Sequence, residues 1–102
     1  MKNHPFPFNC ASMQAALKAH RDNLGKQTEQ RHYINEVGMV RFALVGNSRA
    51  DYDLANPPIG RKRITGHIIC LNTSLIAAGV EFEKRKQICR DIALKYEAQS
   101  LK

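Results

Sequence analysis

The chain has 102 residues, 43% of them apolar and 25% charged, values that exclude a disordered polymer and point to one globular domain. Its longest apolar runs, such as Phe42–Val45 and Leu75–Ala78, are far too short to cross a bilayer, so no membrane partner is expected. Sixteen Lys and Arg against nine Asp and Glu give a formal charge of +7.

The halves divided at residue 51 carry +3 and +4, so no basic tail accounts for the excess. Such a charge favours nucleic acid, anionic lipid or an acidic protein surface, without choosing among them. Cys10, Cys70 and Cys89 form no CxxC pair, and Met1–Pro5 is followed by no apolar core of signal-peptide length. A reducing, cytoplasmic setting is expected.

Taken in order, the chain predicts a single domain over 1–102, with an extended arm over 1–9 ahead of a globular part over 10–102. Alternating Pro5 and Pro7 fix an extended path and place Phe6 and Phe8 on one strip, which folds back over the core or anchors a partner. A first helix starts from a cap at Asn9 or Ser12 and stops at Gly25, with Cys10, Met13, Leu17, His20 and Leu24 on its apolar face. Thr28 supplies the cap of a second helix, whose face is Tyr33, Ile34, Val37, Val40 and Leu44. Gly38 interrupts that helix. The competing reading stops it there and makes Met39–Val45 a strand, since Val40, Phe42 and Leu44 alternate.

Pro57, Pro58 and flanking glycines then make a long irregular loop at about 47–62. Beyond it, Ile64, Ile68, Leu71, Leu75, Ala78, Phe82, Cys89, Ile92 and Tyr96 recur at steps of four and three, the period of an α-helix. The pattern fails only at Arg85, where an apolar residue is due. Glu81–Arg85 and Asp91–Lys95 have salt-bridge spacing on such a helix. Asn72, Thr73 and Ser74 favour a helix break, leaving a C-terminal helix of about 74–99 as the spine. The expectation is therefore a compact, mostly α domain of three to four helices, with Phe82 and Ile92 buried. The alternative is an α+β fold, a two-stranded hairpin of 39–45 and 64–71 packed on three helices. So long a seam on so small a domain also predicts a homodimer.

Chemistry-bearing constellations are few. His67 and Cys70 are three apart, but zinc sites need a second close pair, so no metal and no cofactor is expected. Asp51 and Asp53 have the spacing to hold Mg²⁺ for phosphodiester cleavage, yet Asp in such loops usually caps turns. No catalytic residue is assigned and no enzyme activity expected. The positive signal is Arg61-Lys62-Arg63, in a stretch with no acid between Asp53 and Glu81. With Arg49 on the same loop and Lys86 and Arg90 four apart on the last helix, these six cations form the expected phosphate- or partner-binding set. The functional expectation is a small non-catalytic accessory or regulatory protein that binds nucleic acid, DNA or RNA, mainly through phosphates. Its alternative is a modulator or inhibitor that docks on an acidic surface of a larger protein or enzyme complex.

Overall fold

The structure is a computed structural model that describes residues 10–100, with side chains over 11–99; the arm expected over 1–9 lies outside them. The described residues form four helices, α1 (Cys10–Asn23), α2 (Gln30–Val45), α3 (Lys62–Ala77) and α4 (Phe82–Ser100), and no strand. The mostly α expectation is met. The hairpin alternative is not, because 39–45 lies inside α2 and 64–71 inside α3. Among the described residues no helix is long and apolar enough to cross a membrane.

The helix ends follow the glycines. At Gly25 (φ 73), the Lys26 N–H returns to the Arg21 carbonyl and the Gly25 N–H to that of Asp22. At Gly79 (φ 80), Val80 returns to Leu75 and Gly79 to Ile76. Both are paired bonds around a left-handed residue, a conformation that costs Gly little and ends the helix without orphaned carbonyls. The seam is thus two helices, divided at 78–81 and not at Asn72–Ser74. Asn72 and Thr73 sit inside α3; the Thr73 hydroxyl donates back to the Ile69 carbonyl, which lets it live in a helix. At the start of α2 the cap is Glu29 and not Thr28, and the His32 Nδ1 accepts the Glu29 N–H.

Packing sets α1 mainly on α3 and α2 mainly on α4, with α3 also on α4. Met13, Leu17, Val40, Leu44, Ile64, Ile68, Ile76, Cys89 and Ala93 are buried between them. The buried stripe of α3 is Ile64, Ile68, Asn72 and Ile76, one position off the expected Leu71 and Leu75. That of α2 runs through Glu36, Met39, Val40 and Ala43, and leaves Ile34 60% exposed. Leu24 of α1 is also exposed. Phe82 and Ile92 pack against the core only half-buried. One cause covers α2 and α3: a polar residue occupies a core position that counting apolar residues gives to a neighbour.

Those residues meet. Arg85 donates to both carboxylate oxygens of Glu36, at 2.5 and 2.9 Å, to the Asn72 Oδ1 at 2.9 Å and to the Val80 carbonyl at 2.9 Å. The Asn72 amide donates to Glu36 and to the Met13 sulfur. Every helix therefore contributes an atom to one buried network. Of the apolar seam, Ile64, Ile68 and Cys89 are buried, while Leu71, Leu75, Phe82, Ile92 and Tyr96 are half-buried and Ala78 is exposed.

Candidate functional site

The fold consumes some of the six cations Arg49, Arg61, Lys62, Arg63, Lys86 and Arg90 and leaves others free of it. A helix ends with carbonyls that lack amide partners and carry partial negative charge. At the end of α2, Arg90 donates to the Phe42 and Ala43 carbonyls and Arg61 to that of Leu44. Gly46 closes the same turn at φ 79, and a Cβ there would stand 3.2 Å from the Arg90 guanidinium. Arg61 also pairs with Glu97 at 2.7 Å and lies over the Tyr52 ring. Its bond to Glu97 raises its pKa further. Arg61 and Arg90 are thus fastened to the fold.

The loop that carries Arg49 and leads into Lys62 and Arg63 at the start of α3 is packed in place. Tyr52, Leu54 and Pro57 are buried beneath it, and the Tyr52 hydroxyl donates to Thr65, which in turn donates to the Arg61 carbonyl. Arg41 donates from Nε to the Tyr52 carbonyl. Asn47 and Asp53 each accept an amide two residues on, from Arg49 and Ala55. Such side-chain turns fix a loop locally, and Asp53 serves in one of them. Arg49, Lys62 and Arg63 stand exposed on this framework, and none has a carboxylate partner among the described residues.

A groove of about 570 Å³ runs between α2, the start of α4 and the turn at 48–49. Arg41, Arg49 and Lys86 line it together with Ile34, Phe42 and Phe82, and no carboxylate lines it among the described residues. The Lys86 ammonium lies 4.7 Å from the centre of the Phe42 ring, and the Arg90 guanidinium 5.7 Å from it. Two of the six expected cations, Arg49 and Lys86, therefore meet here. Lys62 and Arg63 do not line the groove. No basic run surrounds Arg41 in the sequence, and the adjacent Phe42 is its one signal.

A second cavity, about 490 Å³, lies by the α1–α2 turn and reaches Glu36 and Arg85 from the side of His20, Arg21 and His32. Its charged pair is satisfied internally. No three His, Cys, Asp or Glu side chains cluster as metal ligands among the described residues. His67 is exposed beside the Tyr96 ring, while Cys89 is fully buried, which pushes its thiol up to about 11. No family model, curated protein or solved structure matches this chain.

Proposed function

We propose that this is a small, non-catalytic accessory or regulatory protein that binds nucleic acid, mainly through its phosphates. The observation that carries the reading is the division of the cations. Arg61 and Arg90 are held by helix carbonyls, whereas Arg49, Lys62 and Arg63 project into solvent without carboxylate partners among the described residues. Exposed cations without carboxylate partners among the described residues, Arg49 on the loop and Lys62 and Arg63 in the first turn of α3, are available to displace counterions from a phosphate backbone. Lys86, which among the described residues lies over the Phe42 ring and pairs with no carboxylate, joins them. The net charge of +7 adds long-range attraction.

A second reading, a modulator docking on an acidic surface of a larger protein, is favoured by one feature. Ile59 is fully exposed on the loop beside Lys62 and Arg63, an apolar anchor within a basic rim. Self-association belongs to the same proposal, through exposed Ile34 and Leu94. So does a cytoplasmic setting, which the free thiols of Cys70 and Cys89 support.

The test is affinity for nucleic acid of mixed sequence across a salt series. Each phosphate contact adds about 0.7 to 0.9 to the slope of log K against log salt. Replacing Arg49, Lys62 and Arg63 with Ala is expected to flatten it by about two units or more. Absence of binding at low salt would leave the protein-docking reading in its place.

A further inference from the structure

From the groove between α2 and α4 we infer that the strand it accepts is single-stranded, with one base against Phe42 and neighbouring phosphates on Arg49, Lys86 and Arg41. This rests on the nucleic-acid reading above and narrows it. Three features carry it.

The first is shape. A duplex is a convex rod, and proteins that read it push a helix or ribbon into its roughly 12 Å major groove. Here the relation is inverted: half-buried Arg41, Phe42 and Lys86 line a hollow between two helices. Its volume of about 570 Å³ is in the range of sites that enclose small ligands, enough for a nucleotide-sized unit but not for a paired helix. A flexible strand can thread such a hollow.

The second is chemistry. Three cations and no carboxylate among the described lining residues demand an anion, and Phe42, Phe82 and Ile34 demand an apolar body close to it. A nucleotide supplies both within one unit, a phosphate and a base with a π-face. The aromatic residues come from different helices, 40 positions apart, so the sequence shows no closely spaced aromatic pair.

The third is availability. Arg41 donates to the Tyr52 carbonyl through Nε, which leaves its two terminal amino groups without a partner among the described residues. Lys86 lies over the Phe42 ring with no carboxylate partner among the described residues, and Arg49 is exposed. Lys86 can swing from the ring to a phosphate as a base takes its place.

Fluorescence anisotropy tests this with a labelled oligothymidylate, the same strand annealed to its complement, and a polyglutamate peptide of equal charge. The single strand is expected to bind about tenfold tighter than the duplex, as one stacked base would give. Phe42→Leu, which keeps the apolar bulk, is expected to weaken single-strand binding about 5- to 150-fold with the salt slope unchanged. Arg49→Ala, at an exposed position, is expected to flatten that slope by about 0.7. Helical content measured by circular dichroism establishes that each variant is folded. Equal or tighter duplex binding overturns the inference and leaves the proposed function standing. Polyglutamate binding as tightly as the single strand overturns it in favour of an acidic protein surface. So does an unchanged affinity in folded Phe42→Leu. If neither nucleic acid binds at low salt, the inference and the proposed function fall together.

Discussion

Two arginine clusters hold α2, one in its second turn and one at its C-terminal end, and they differ in water. In the first, Arg85 and Glu36 have side chains only 6% and 4% exposed. In the second, Arg61 and Glu97 are 27% and 36% exposed, with bulk solvent screening the pair. The same two residue types therefore have different physical meanings. The buried pair is a constraint: its members cannot be separated without leaving a charge in a dry interior. The half-exposed pair is a fastening of modest strength.

The sharpest way to break that comparison is to orphan a charge. Arg85→Ala is expected to cost about 3–5 kcal/mol of stability, measured by urea unfolding, because Glu36 stays buried without its partner. Replacing Glu36, Asn72 and Arg85 together with Leu is expected to cost much less, since nothing charged remains. A loss below about 1 kcal/mol for Arg85→Ala would place the two clusters in one class.

Cys89 shares the buried interior of the first cluster. Burial pushes its thiol from an ordinary 9.0 to about 11. A group that holds its proton more tightly when folded contributes stability that is intact below pH 9 and lost as pH rises towards 11. The contribution at stake is on the order of 2–3 kcal/mol. Alkylation followed by mass spectrometry is expected to label Cys70 well before Cys89 at pH 8 to 9. Equal rates would mean that water reaches the interior.

Smaller effects mark the second cluster. Arg61→Ala is expected to cost about 1 kcal/mol, combining a screened pair with the lost Leu44 carbonyl bond. Between the clusters lies Gly38, where an added Cβ would meet Ser48 at 3.6 Å, an ordinary contact. Gly38→Ala is expected to raise stability by about 0.5–1 kcal/mol, read as a higher urea midpoint. Smallest of all, Ala at Arg49, Lys62 and Arg63 is expected to move stability by no more than about 0.5 kcal/mol each, so their effects on binding are read without a folding correction.

The comparison also explains what the sequence disclosed. Arg85 stood out at once as the break in an apolar repeat. Its partner did not, because Glu36 is 49 positions away and nothing local marks it. Asn72 was legible as unusual but suggested a cap, since residue type alone does not distinguish a helix end from a buried amide. Gly79 was the true stop. The helical period survived these errors because it depends on many residues, whereas a stripe rotates when a single core position is polar. For the site, charge runs disclosed Lys62 and Arg63, which are exposed. They could not show that Arg61, their immediate neighbour, turns inward to the carbonyls of a helix that ended before the loop.

The network of Glu36, Asn72, Arg85 and Met13 also has a consequence for motion. An α4 that peeled away alone would strand the Glu36 carboxylate in the remaining three helices, and an α1 that left would uncover it. Partial opening is thus dearer than its apolar area suggests, and the helices are tied into one cooperative unit. Amide exchange in the centres of α2, α3 and α4 should then share a single free energy, equal to that of global unfolding. Arg85→Ala should split that common value and let the two C-terminal helices exchange by a cheaper route.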